Sequence, residues 1–160
     1  VNALKQLDQF KDYNFATERS EYLMNIGIPL NTDSTLKGQT VFLAERCAEL
    51  MRDNIITDRT ILDVIAFTNS AKSIDYKDKE IFEQYAIEFL REYDYIFYIS
   101  PEGIGIEDNG VRETDEYYRD LIDFSITTLI KRYGHRINNV EVIKGSTEER
   151  IEQILKFIGS

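Results

Sequence analysis

The sequence predicts an α/β protein in which helices flank a parallel sheet. Short runs rich in β-branched and aromatic residues alternate with stretches of helical periodicity, which is typical of this fold class. The run Tyr93–Ile99 (YDYIFYI) is almost uniformly apolar or aromatic, so we expect a strand that is buried on both faces. The chain has 160 residues, 42% of them hydrophobic, which suffices for the core of one domain spanning residues 1–160.

The first half of the chain predicts helices separated by two short strands. Val1, Leu4 and Leu7 share one helical face, so Val1–Leu7 has the pattern of the later part of a helix. A second helix is expected to stop at Gly27. The expected ranges are a strand at Asn14–Thr17, helices at Arg19–Ile26 and Thr40–Arg52, a strand at Asn54–Thr57 and a helix at Thr60–Thr68.

The second half continues the alternation and ends with the clearest helix start in the sequence. Ser146 and Glu149 have the spacing of a capping box, in which each side chain accepts a hydrogen bond from the other residue's backbone N–H. The expected ranges are a helix at about Asp78–Glu92, the strand Tyr93–Ile99, a glycine-containing loop at Ser100–Glu113, a helix at Asp115–Tyr133, a strand at Val140–Ile143 and a helix at Ser146–Ile158.

Composition excludes several classes of site. Cys47 is the only cysteine and His135 the only histidine, so intramolecular disulfides, cysteine-rich zinc sites and histidine-rich metal sites are ruled out. The net charge of −10 disfavours nucleic acid and anionic membranes as partners. No apolar run approaches the ~20 residues that span a bilayer, and the first residues lack the apolar core of a signal peptide. We therefore expect a cytoplasmic protein.

Polar side chains follow the predicted strands at several points. Ligands of parallel sheets gather at the carboxyl ends of the strands, so these residues are the first candidates for chemistry. The clusters are Glu18-Arg19, Asp58-Arg59, the loop from Asp108 to Arg112 together with Arg119, and Gly145-Ser146-Thr147.

Each cluster also has a plain structural interpretation. Asp58 can hold Mg²⁺ or accept a proton, or it can cap the helix that follows it. Arg112 can reach a transferred phosphoryl group from a closing loop, or it can be a surface charge. Arg119 can contribute there or pair with a carboxylate one turn away. Gly145 to Thr147 are equally typical of a helix start.

The order of these clusters resembles that of the P-loop kinase-like ATPases. The matching stretches are FATERSEYL, NIITDRTILD, YDYIFYIS followed by DNGVR, and VEVIKGSTEERIEQIL. More narrowly, the chain resembles the family that contains the ribosylnicotinamide kinase domain of the bacterial NAD regulator and related AAA-type ATP-binding proteins. The resemblance covers nearly the whole chain. It implies a three-layer, P-loop NTPase-type parallel sheet with ATP and Mg²⁺ as cofactors.

The resemblance also implies roles for individual residues. Asp58 matches the acidic residue that organises Mg²⁺ or acts as base, and Arg59 completes an Asp-Arg pair beside the phosphate acceptor. Glu18 and Arg19 match acceptor-side residues after the second strand of the family.

The remaining implied roles concern the nucleotide. Asp108 and Arg112 match a lid of about residues 101–119, in which an arginine faces the ATP phosphates, with Arg119 as a second cation. Gly145, Ser146 and Thr147 fall where such kinases pass backbone along the adenine ring.

One part of the family pattern is missing from the chain. The string G-x-x-x-x-G-K-[ST], which cradles the β- and γ-phosphates, does not occur in it. Because Val1–Leu7 is typical of the helix that follows this loop, we expect roughly 10–20 further residues before Val1, forming a strand and the loop. Without that strand the sheet would have two unpaired edges and a hole in the core.

Two functions from different classes follow from these patterns. The first is phosphoryl transfer from ATP·Mg²⁺ to a nucleoside, a nucleotide or a related small molecule. The second is a nucleotide-binding regulatory or interaction module that hydrolyses ATP slowly or not at all. Acceptor-dependent ADP formation distinguishes them. A purely structural or partner-binding protein, which no nucleotide would stabilise, is a third possibility.

Overall fold

The computed structural model describes residues 1–17, 20–28, 34–100 and 116–159, which form a mixed α/β protein. The helices are α1 (Asn2–Lys5), α2 (Ser20–Asn25), α3 (Leu36–Glu49), α4 (Ile61–Ser70), α5 (Tyr76–Ala86), α6 (Glu116–Tyr133) and α7 (Thr147–Gly159). The strands are β1 (Asn14–Ala16), β2 (Ile55–Thr57), β3 (Ile96–Ile99) and β4 (Val140–Ile143). Short 3₁₀ turns lie at Asp8–Phe10, Ile87–Glu92 and Gly134–Arg136.

The strands of the described residues form two separate sheets of two parallel strands each. β1 pairs with β2 so that Asn14 lies opposite Ile55, and β3 pairs with β4 so that Ile96 lies opposite Val140. The parallel direction predicted from the alternation of strands and helices is thereby confirmed. The two sheets share no ladder within the described residues, because an open cavity lies between β2 and β3.

Helices cover both faces of the β3–β4 sheet. Successive side chains of a strand point to opposite faces. Phe97 contacts Phe157 of α7, with ring centroids 5.8 Å apart, whereas the hydroxyl of Tyr98 donates to the carboxylate of Asp123 on α6. The helices α6 and α7 therefore lie on opposite sides of this sheet.

The core is centred on α4. Ile61, Ile65 and Ala66 are fully buried there, and α4 packs against α3, α5 and α6. Complete burial of an isoleucine side chain contributes about 1.5–3 kcal/mol, so this helix carries a large part of the stability. Its high apolar content, ILDVIAF at the start, explains why three other helices can pack around it.

Two helices begin earlier than their periodicity indicates. The helix expected at Thr40 begins at Leu36, because the Thr35 side chain accepts a hydrogen bond from the N–H of Gly38. The helix expected at Asp78 begins at Tyr76, where Asp75 caps it. In both cases the capping side chain, rather than the apolar stripe, sets the first turn.

The expectation that Tyr93–Ile99 is a strand buried on both faces is wrong. The strand is shorter, Ile96–Ile99, and of its four residues only Ile96 is buried. The Ile99 side chain is 44% exposed. The physical reason is that β3 has one neighbouring strand among the described residues, and its other edge lies along the cavity. No helix among the described residues is long and apolar enough to cross a membrane.

Candidate functional site

A cavity of about 1240 Å³ lies between the two sheets. Its walls include an unbroken run of backbone from Asn54 to Thr60 and another from Glu92 to Ile99. Residues from α1, α4, α6 and α7, the turn at Asp8–Phe10 and Ile143 of β4 also line it. The carboxyl end of β2, where Asp58 follows the strand, forms part of this lining and is the position at which parallel sheets present ligand-binding residues.

The Asp58-Arg59 turn is held by partly buried hydrogen bonds. The N–H of Asp58 donates to the Ala16 carbonyl at 2.8 Å, which extends the β1–β2 ladder by one residue. The guanidinium of Arg46, which is 4% exposed, donates to the Asp58 carbonyl at 2.9 Å. The hydroxyl of Thr57 donates to the Arg59 carbonyl, also at 2.8 Å. Both carbonyls of the turn are therefore fixed by side chains.

Arg59 has a backbone conformation that its neighbours must maintain. Its φ is 81°, in the left-handed region that residues with a Cβ seldom adopt. The guanidinium carbon lies 5.3 Å from the centroid of the Phe67 ring, a cation–π distance. Backbone strain of this kind is concentrated at functional sites, so the turn is a candidate on its own geometry.

Three of the residues singled out in the sequence line the same cavity. Asp58 and Arg59 come from the end of β2, and Arg119 comes from the first turn of α6. Arg119 follows Arg59 by 60 positions in sequence, so only the fold brings the α6 cation to the cavity of the Asp-Arg turn. The interpretation of Asp58 as a helix cap is wrong, because Thr60 caps α4 in a capping box with Asp63.

Five further carboxylates line the cavity, and we did not predict any of them as a site residue: Asp53, Asp63, Glu92, Asp94 and Asp123. Asp63 lies in the first turn of α4, and Asp123 lies on α6, four residues beyond Arg119. Burial, followed by the hydrogen bond to Asp123, raises the pKa of Tyr98 above its ordinary value. The four-residue spacing of Arg119 and Asp123 could have identified Asp123 from the sequence, because it places both residues on one face of α6.

At the predicted Mg²⁺ site, the Asp58-Arg59 turn supplies one carboxylate, that of Asp58. Within the described ranges, no group of three or more His, Cys, Asp or Glu residues could hold a metal ion. Mg²⁺ in phosphoryl-transfer sites commonly uses one or two carboxylates, waters and substrate phosphates. Asp58, which faces the cavity from the end of β2, fits that mode of binding and would act together with phosphate oxygens of the substrate.

Gly145, Ser146 and Thr147, predicted to bind the cofactor, lie outside the lining of this cavity. Ser146 and Glu149 form the predicted capping box: the Ser146 hydroxyl accepts from the Glu149 N–H at 3.2 Å. Gly145 has a φ of 106°, and a Cβ on it would lie 2.8 Å from a Glu149 carboxylate oxygen. The local contacts of these three residues are those of a helix start.

Four predicted site residues lie outside the described residues: Glu18, Arg19, Asp108 and Arg112. The same holds for most of the predicted lid, of which residues 116–119 are described. Their assigned roles stay predictions. In comparisons with known proteins, no protein-family model, no curated protein and no solved structure matches this chain.

Proposed function

We propose that this protein is an ATP-dependent phosphotransferase that acts on a nucleoside, a nucleotide or a related small molecule. The observation that supports the proposal is the convergence of Asp58, Arg59 and Arg119 on one cavity. Phosphoryl transfer depends on positioning and on neutralising negative charge, and an acid beside two guanidinium groups supplies both. The parallel strands, with helices on both faces of β3–β4, are consistent with a three-layer P-loop fold.

In this proposal Asp58 acts on the metal or on the acceptor. Its carboxylate either orients Mg²⁺ through the water shell or accepts the proton of the attacking hydroxyl. Arg59 and Arg119 bind phosphate oxygens, for which the planar guanidinium is well suited. The strained backbone of Arg59 supports this role, because the hydrogen bond from Thr57 to the Arg59 carbonyl fixes the turn from which the side chain extends.

The proposal also assigns the residues outside the described ranges. Glu18 and Arg19 orient the acceptor, while Asp108 and Arg112 close over the ATP phosphates as part of the lid.

The test uses the purified protein. ADP formation is measured with Mg·ATP alone and with a panel of nucleosides and nucleotides. We expect acceptor-dependent turnover that falls roughly 10²–10³-fold in Asp58→Asn and in Arg59→Ala, since each removes a group that stabilises the transition state. The matched controls are Asp120→Asn and Arg136→Ala, whose side chains do not line the cavity and are exposed.

The outcomes separate the candidate functions. ATP binding with slow, acceptor-independent turnover would favour the regulatory ATPase module over the kinase. Failure of ATP to bind or to raise the melting temperature of the protein would refute both. Equal activities in the site variants and the controls would remove the Asp58-Arg59 turn from the mechanism.

A further inference from the structure

The solvent-facing side of α6 carries large apolar side chains in a single stripe. Tyr117, Leu121 and Phe124 are between 37% and 74% exposed. Their spacings of four and three residues place them on one face of the helix. Ile126 and Leu129 lie on the opposite face and belong to the buried core, so α6 presents apolar residues on both of its sides.

The edge of the β3–β4 sheet adds to this apolar surface. Val142 lies opposite Tyr98 in the parallel register, so both side chains point to the same face of the sheet. The hydroxyl of Tyr98 donates to Asp123, which identifies this face as the one on which α6 lies. Val142 is half exposed there. Several exposed, large apolar side chains on one side of a domain indicate a surface that associates.

Exposed charges at the two ends of the stripe have opposite signs. Glu116 and Asp120 are exposed near its N-terminal end, and Lys131 is exposed near its C-terminal end. Arg132, which also lies in the last turn, is paired with Glu83. Two copies of α6 that pack antiparallel therefore bring acid against base at both ends, whereas parallel packing brings like charges together.

We propose that this face of α6 binds a second copy of the chain in a two-fold symmetric, antiparallel helix pair. The stripe continues from Phe124 through Thr128 to Lys131 at the same spacing, so its positions are nearly symmetric about Phe124. In an interface of this symmetry, the residue on the axis meets its own copy. Phe124 therefore packs on Phe124 of the other copy, and Leu121 packs near Thr128. Lys131 lies within one helical turn of Asp120 of the other copy.

The size of this face sets the expected affinity. The 18 residues of α6 span about 27 Å. One helix pair with an adjoining strand edge buries less than the roughly 800 Å² per partner of a standard interface, so we expect a dissociation constant in the micromolar range. Each copy has a net charge of −10, which opposes association at low salt. At an ionic strength of about 0.15 M, charges farther apart than about 8 Å are screened and the contact pairs decide the outcome.

Sedimentation equilibrium of the purified protein tests the association. In about 0.15 M salt, the weight-average mass should rise from that of a monomer towards that of a dimer between about 1 µM and about 1 mM protein. Phe124→Ser should raise the dissociation constant at least about tenfold, because the residue at the centre of the interface is lost from both copies. The matched control is Ile81→Ser, which changes an exposed apolar side chain on α5 and should leave the dissociation constant unchanged.

Charge variants test the antiparallel orientation. Lys131→Glu places a carboxylate near Asp120 of the other copy and should weaken the dimer roughly tenfold, because the symmetric interface contains this pair twice. The double variant Asp120→Lys/Lys131→Glu restores opposite charges at both ends of the stripe. Its dissociation constant should return to within about threefold of the wild-type value.

Three results would overturn the inference. The first is a protein that stays monomeric up to about 1 mM, which would leave this face to a different occupant. The second is a dimer that Phe124→Ser does not weaken, because association would then use another surface. The third is a double charge variant that dimerises no more tightly than Lys131→Glu, which would refute the antiparallel pairing. These measurements involve neither ATP nor an acceptor, so dimerisation and phosphoryl transfer can fail separately.

Discussion

The guanidinium of Arg46 lies beneath the turn that carries Asp58 and Arg59. It donates to the Asp58 carbonyl at 2.9 Å and forms an ion pair with Glu49 at 3.0 Å. The two side chains of this pair are 5% and 11% exposed, so solvent screens the pair very little. Replacing Arg46 by methionine keeps much of the side-chain length but removes the charge and its donors.

The expected loss of stability in Arg46→Met is about 3–5 kcal/mol, because the variant removes a buried cation that pairs with a nearly buried carboxylate. The lost charge-assisted hydrogen bond to the Asp58 carbonyl accounts for about 1.5–3 kcal/mol of that range. The comparison is Arg136→Met, whose pair with Glu88 has side chains 44% and 53% exposed. That variant should lose less than about 1 kcal/mol.

Equilibrium urea unfolding of the two variants measures these free energies. The double variant Arg46→Met/Glu49→Met should recover about 1–3 kcal/mol relative to the sum of the single changes, because it removes both buried charges together. A loss below about 1 kcal/mol in Arg46→Met would refute the reasoning that the buried ion pair and its carbonyl bond hold the turn. Additive single changes would show that Arg46 and Glu49 are not coupled.

Three further predictions concern a glycine, a tyrosine and a helix cap. Gly145→Ala should cost at least about 1–2 kcal/mol, because φ is 106° and the new Cβ would meet Glu149, whereas Gly134→Ala has open space and should be nearly neutral. Tyr98→Phe should flatten the fall in stability above pH ~10. Because the pKa of Tyr98 is raised in the folded protein, this tyrosine ionises first in the unfolded chain, so its contribution to stability is present below pH ~10 and is lost as the pH rises. Thr60→Ala should cost about 0.5–2 kcal/mol, because it removes the cap of α4. Thermal unfolding checks the first and third predictions; equal melting temperatures for the two glycine variants, or no change in Thr60→Ala, would contradict them. Urea unfolding at several pH values checks the second, and parallel pH curves for wild type and Tyr98→Phe would contradict it.

The secondary structure could be predicted well where the deciding contacts are local. The helix after Ser146 begins within one residue of its expected start, because its capping box involves residues three apart. The strands at Asn14 and Val140 also occur where the apolar runs predict them. The start of α3 was misplaced by four residues, because we took the apolar stripe as the signal and overlooked the Thr35 cap.

The candidate site could be predicted only in part. Asp58 and Arg59 were found because they follow an apolar strand, and Arg119 because it lies near a glycine-containing loop. Arg46 was not found, because nothing near it in sequence indicates that its side chain reaches the carbonyl of Asp58, 12 residues later. Asp63 was not found either: its capping box with Thr60 is a local pattern that we overlooked, and its position in the cavity depends on where α4 lies.

The sequence by itself determined the local elements, the parallel α/β class and the acidic, single-cysteine composition, because these depend on residues within about one helical turn or on counts. Only the tertiary structure decided that β2 and β3 are separated by a cavity, that Arg59 is left-handed and that Arg46 is buried beneath it. These features arise from contacts between residues far apart in the chain. Their free energy depends on how helices and sheets pack, which no short stretch of sequence contains.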